Sequence, residues 1–205
     1  MTKTDFKKTL KKFYNPKPKR YEIIEIPKMN FLMIDGKGVP GTSQAYIDSL
    51  AALYPLTYKL KFMAKAMDQD YVVPSLQALW WADDMNDFVA GNKHNWQWTL
   101  MLMQPEWITP DMVGQARVDV EAKKDAPKLL QNVRFEAYDE GMVAQYLHIG
   151  SYDDEGPVLK FMHKEFIPAE GYRMHGKHHE IYISDPRKVA AVKLKTILRH
   201  PVIVV

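Results

Sequence analysis

One order of elements occurs twice in this chain, and it limits the fold more than composition does. YEIIEIP and FLMIDGKG read as strands, separated at Pro27 and ended by glycines. From Thr42 to Met67 the apolar residues take helical spacing, with Tyr46, Leu50, Leu53 and Tyr54 on a 3.6-residue period and Pro55 placed to kink or split the run. LQALWWAD and NWQWTLMLMQP follow as aromatic-rich strands around a turn at Gly91-Asn92. The second half repeats the order. VRFEAYDEGMVAQYLHIG predicts a hairpin turning at Asp139-Glu140-Gly141, and SYDDEGPVLKFMHKEF predicts a helix with Ser151 as N-cap and Asp154 three residues on. HHEIYIS and KLKTILRHPVIVV predict the closing strands. LMIDG (Leu32–Gly36) then matches LHIG (Leu147–Gly150), and WADD (Trp81–Asp84) matches ISDP (Ile183–Pro186).

A helix with one apolar stripe must cover it, and the strands of its own repeat are the nearest surface. The expected fold is therefore α+β: tandem strand–helix–strand–strand repeats of SHS2 type. They would form an antiparallel sheet with helices on one face and a ligand groove on the other. The repeats span about 21–108 and 129–205 of a single domain, 21–205, after a basic arm at 1–20. Thr109-Pro110 predicts a capped start for a linking helix over about 110–124, with Val113, Ala116 and Val120 at helical spacing.

Composition excludes several functions. The 205 residues contain no cysteine, so a disulfide, a thiolate metal site and a Cys nucleophile are ruled out. No uninterrupted apolar run reaches the length of a membrane span, and the start lacks a signal-peptide core. The expectation is a cytoplasmic chain with no membrane partner. Eight of the 28 Lys and Arg fall in the first twenty residues beside one acid, Asp5, which leaves the remainder net acidic. Such an arm can attract nucleic acid or anionic lipid by charge. Phe6, Leu10 and Phe13, at i, i+4 and i+7, favour instead a helix docked on the chain's own body.

KHHEIYISDP, Lys177–Pro186, is the stretch richest in chemistry. A strand alternates its faces, so His178 and Glu180 point one way and His179 the other. Zinc-protease helices need His at i and i+4, and residue 183 is Ile, so no metal and no cofactor is expected. Ile181 and Ile183 read as core-facing, which puts Glu180, Tyr182 and Ser184 on the opposite side. The matching positions in the first repeat are Ala78, Trp80 and Ala82, which would set Trp80 opposite Tyr182. A glutamate in a strand ordinarily faces solvent, but an aromatic face around it argues for a groove. GKGVPG lacks the Gly-Lys-Ser/Thr ending of a phosphate-binding loop, no Gly-x-Ser-x-Gly elbow occurs, and His148 reads as a structural histidine.

Five tryptophans, Trp80, Trp81, Trp96, Trp98 and Trp107, crowd into one stretch. Strand alternation prevents Trp80 and Trp81 from sharing a face. Trp96 and Trp98 share one, and Trp107 precedes a helix as a rim or lid residue. Tyr152 enters the second helix either as a cage wall or as a helix-start aromatic packed on the sheet.

FLMIDGKGVP, the run Leu50–Lys61, LQALWW, TLMLMQP, HIGSYDDEGP, GKHHEIYISDPRK and TILRHPV, in this order, resemble the GyrI-like small-molecule-binding family, in particular its long stand-alone members. HEIYISDPR is the most specific element. The resemblance implies a groove between two pseudo-two-fold repeats that binds hydrophobic, often cationic, drug-like molecules for xenobiotic protection. It implies a pocket glutamate at Glu180. A subset of the family resembles hydrolases that open the cyclopropane ring of DNA-alkylating natural products. Trp80, Trp96, Trp98, Trp107, Tyr182 and Glu180 are then the candidate ligand-binding residues, and Glu180 and Tyr152 the candidate catalytic pair. The alternative is a protein-interaction module that inhibits a partner such as DNA gyrase. Relatives carry helix-turn-helix segments, but the arm before Tyr21 is too short for one, so no direct nucleic-acid binding is expected.

Overall fold

The structure, a computed structural model, describes residues 3–84 and 91–205. Two short helical turns, Phe6–Thr9 and Lys11–Tyr14, come first. Then follow β1 (Glu22–Ile26), β2 (Met29–Lys37), α1 (Gln44–Ala66), β3 (Gln77–Trp81), β4 (Gln97–Gln104) and α2 (Pro110–Glu121). β5 (Arg134–Tyr138), β6 (Gly141–Ile149), α3 (Glu155–Phe161), β7 (Tyr172–Met174), β8 (His178–Tyr182) and β9 (Lys195–Val204) complete the chain. The class is α+β with antiparallel strand pairing, and strand–helix–strand–strand occurs twice, as β2-α1-β3-β4 and, with the short β7 inserted before β8, as β6-α3-β8-β9. No helix among the described residues is long and apolar enough to cross a membrane.

The chain divides into two compact units. The first takes Met1–Phe6, Met29–Pro74 and Ala78–Tyr138, and the second takes Lys7–Lys28, Ser75–Gln77 and Asp139–Val205.

In the first unit the strands run β3-β4-β2-β5. β2 pairs with β4 from Asn30↔Gln104 to Lys37↔Gln97, and with β5 from Met29↔Tyr138 to Met33↔Arg134. α1 lies on β2 and β4 and against α2. Its Leu53, Leu56 and Leu60 are fully buried, each stabilising by roughly 1.5–3 kcal/mol. Pro55 neither splits nor ends the helix. Thr109 caps α2 as expected, its hydroxyl accepting from the Met112 N–H at 3.2 Å. Trp98 to Gln104 are buried without alternation, so neither face of β4 is open there.

In the second unit the strands run β1-β6-β9-β8, with β7 also on β9. Ala144, Met162, Ile167, Leu198 and Val202 form the core, flanked by Tyr21, Ile23, Tyr146 and Phe166. The helix after Ser151 is composite. A 3₁₀ turn, Tyr152–Asp154, leads into α3, which continues through a π turn, Met162–Phe166, to Ile167–Ala169.

The expected hairpin at Asp139-Glu140-Gly141 does not form. β5 pairs with β2 in the first unit, whereas β6 pairs with β1 and β9 in the second. The basic arm is not one helix, because Leu10 leaves helical geometry (φ −111°, ψ 46°). It packs nonetheless. Phe6 sits 6.3 Å from Tyr71 and 6.1 Å from Trp107, ring to ring, and Tyr14 is buried in the second unit.

Candidate functional site

Register decides what shares a face. Glu180 pairs with Leu198 and His179 with Arg199, and directly opposed residues point the same way. Glu180, Tyr182 and His178 therefore lie on the face of Leu198 and His200, where α3 and its π turn pack. His179, Ile181, Ile197 and Arg199 lie on the other. The alternation read from the sequence holds, but Glu180 shares its face with the helix instead of lying on a helix-free side.

The Tyr182 hydroxyl donates to Glu180 Oε2 at 2.6 Å. The Tyr152 ring stands edge-on to Tyr182, 5.8 Å between centroids and 82° between planes. The Glu180 side chain is 15% exposed, enough to meet a ligand and little enough to be poorly solvated. Burial, with the charges of Glu155, Glu180 and Asp185, pushes the Tyr152 hydroxyl up to about 12. It is thus a proton donor at neutral pH. The structure brings Glu180, Tyr182 and Tyr152 together.

The tryptophans all belong to the first unit. Trp80 is buried and meets half-buried Trp96 edge to face at 5.9 Å. Lys93 Nζ lies 5.7 Å from the Trp96 ring centroid. Trp98 is fully buried, its indole against Tyr46 and its N–H donating to Gly38 O at 3.3 Å. A Cβ at Gly36 would lie 2.0 Å from Trp98 Cη2, so this glycine makes room for the indole. Trp107 packs on Phe6 and Tyr71. Trp98 and Trp107 thus pack against aromatic side chains of the first unit.

Two groups escaped the sequence. On the His179 face, Glu140 is almost fully buried: His179 Nδ1 is 2.7 Å from its Oε1, and Arg199 donates to its Oε2 at 3.4 Å. His179 Nε2 meets Gln77 Oε1 at 3.0 Å, and Arg199 donates to Gln145 Oε1 at 3.1 Å and to the Phe13 carbonyl. Burial alone would raise the Glu140 carboxyl, but His179 and Arg199 outweigh it and hold it below its ordinary value.

On the Glu180 face, His163, His178 and His200 form a cluster whose ring nitrogens lie within 4.8 Å of one another. The His163 and His200 rings are 4.8 Å apart at 81°, and those of His178 and His200 are 6.1 Å apart at 33°. Burial, then the neighbouring His178, lowers His163 to about 4 and His200 to about 3, so both rings are neutral at pH 7. The sequence reading sought ligands only by local spacing around His178. His163 lies on the π turn and His200 on β9, and only the pairing of β8 with β9 and the packing of α3 collect them.

Residues 19–202 match the family model of the GyrI-like small molecule binding domain. An uncharacterized conserved protein from Listeria innocua has 38% sequence identity and a TM-score of 0.88, over 98% of this chain and 100% of that one. A hydrolase from Listeria innocua has 37% identity and a TM-score of 0.86 over the same shares. The EcmrR C-terminal domain, at 14% identity and a TM-score of 0.57 over 91% of this chain and 98% of that one, shares the fold. Among curated proteins none matches.

Proposed function

Because the chain belongs to the family of GyrI-like small-molecule-binding domains, we propose that Glu180, Tyr182 and Tyr152 wall a site for flat, hydrophobic or cationic drug-like molecules, and that the site opens strained cyclopropane rings of DNA-alkylating compounds with water, as xenobiotic protection. The observation that carries this reading is the half-buried Glu180 carboxylate, anchored by the Tyr182 hydroxyl at 2.6 Å with the edge of Tyr152 beside it. The likeness to a hydrolase at 37% identity supports it.

The chemistry follows from the placement. A carboxylate among aromatic rings attracts a cation by charge and by the ring faces. With Oε2 taken by Tyr182, Oε1, which stands 3.3 Å from His178 Nε2, is the oxygen that would hold and deprotonate a water. The water oxygen bonds to a cyclopropane carbon, the strained C–C bond breaks, and its electron pair moves to the conjugated oxygen of the substrate. Tyr152, which keeps its proton at neutral pH, donates a hydrogen bond to that oxygen. The strain belongs to the substrate, so the protein needs only to orient one water and exclude others.

The test is mass spectrometry of a spirocyclopropyl alkylating compound in molar excess, with wild type and Glu180→Gln in parallel. Water-added product beyond one equivalent, lost in the variant, is the expected result. Turnover unchanged in Glu180→Gln would sink the mechanism. No water addition by either protein would sink the hydrolytic half and leave ligand capture.

A further inference from the structure

We propose that His163, His178 and His200 bind one divalent transition-metal ion through imidazole nitrogen, with zinc as the first ion to test. The three side chains come from three different elements, yet their ring nitrogens lie within 4.8 Å of one another. His178 and His200 are 6% and 7% exposed. Neither ring nitrogen of His178, nor Nε2 of His163, nor Nδ1 of His200, has a hydrogen-bond partner among the described residues. A buried polar group without a partner costs about 1–3 kcal/mol. Three at one spot form a donor set that a cation would satisfy.

The donor set restricts the ion. With no cysteine in the chain, a thiolate ligand is excluded, and imidazole suits zinc, copper, nickel and ferrous iron. Zinc–nitrogen bonds of about 2.0–2.1 Å place tetrahedral ligands about 3.3 Å apart. Closing the present 4.8 Å spread to that distance requires a movement of about an ångström at each ring. The π turn Met162–Phe166 carries His163, and π turns in helices recur where a side chain must be re-aimed for function.

Glu180 gives the site its outer shell. Its Oε1 stands 3.3 Å from His178 Nε2, without the alignment of a hydrogen bond. A ligating histidine characteristically turns its second nitrogen toward a carboxylate, which fixes the ring and raises its basicity. His178 would thus offer Nδ1 to the ion and Nε2–H to Glu180. Three protein ligands leave a fourth position for water or a ligand atom.

The site shares Glu180 with the proposed ring-opening chemistry, but the test reads metal binding alone and does not depend on turnover. The full chain, stripped of metal by chelator dialysis, is titrated with zinc chloride against a chromophoric chelator. Cobalt(II) replaces zinc in a second titration followed in the visible. One zinc per chain is expected, with intense tetrahedral cobalt bands. His163→Gln and His200→Gln should each weaken zinc at least tenfold, and His94→Gln, at an exposed residue outside the cluster, should not. Circular dichroism checks that the variants fold. The cobalt spectrum of the wild type stands even where one does not. No binding by wild type at equimolar zinc, or equal binding by both cluster variants, overturns the proposal.

Discussion

His178 and His179 are neighbours on one strand and both buried, yet they live differently. His179 has both ring nitrogens engaged, one by Glu140 and one by Gln77. His178 has neither hydrogen-bonded. The same division runs through the sheet behind them. The Arg199 face is a closed polar network in which charges answer one another. The His200 face combines an apolar core with bare nitrogens and an anchored carboxylate. A buried polar group whose bonds are complete holds structure together, and one whose bonds are missing is available to something else.

The sharpest way to break this contrast is at Arg199. Arg199→Met leaves Glu140 as a buried charge short of a partner, and urea unfolding should show a loss of roughly 3–5 kcal/mol. A loss under about 1 kcal/mol would mean that the network does not hold the second unit. His179→Leu comes next, at about 1–3 kcal/mol for the carboxylate and amide it leaves short. Acid should act through the same group. The folded Glu140 carboxyl sits below its ordinary value of 4.5, so its contribution is fully present above that pH. It is lost as pH falls through the lowered folded value. Unfolding followed against pH should therefore show an acid limb in wild type that is shallower in Glu140→Gln. Smaller still, His178→Gln in metal-free protein should move stability by less than about 1 kcal/mol, since no hydrogen bond is removed. The smallest effect on stability belongs to Glu180→Gln, which keeps the shape of the side chain. Its unfolding curve should overlay wild type while ring opening disappears.

Local signals carried the sequence reading as far as local signals reach. α1 and α2 were legible because their apolar spacing and the Thr109-Pro110 start are written in adjacent residues. The two repeats were legible for the same reason. The hairpin at Asp139-Glu140-Gly141 had every local mark of one, including a glycine at φ 66°. Pairing to distant strands overrode it, and Glu140, read as a turn acid, proved to be the buried anion of the second unit. β7 is three residues long and left no periodicity to find. The faces of β8 were correctly separated by alternation. Which face bears the helix was not in the strand's own residues, because it depends on the register Glu180↔Leu198. That register, read together with a histidine two residues after Leu198, is the signal that joins His178 to His200.

The confinement of all five tryptophans to the first unit makes the molecule optically lopsided. Indole emission is a private channel to that unit. The second unit, with Glu180 and the three histidines, must be watched by other light: tyrosine absorption or the colour of a bound cobalt ion. The chain therefore arrives already labelled for asking whether its two units unfold in one step or in two.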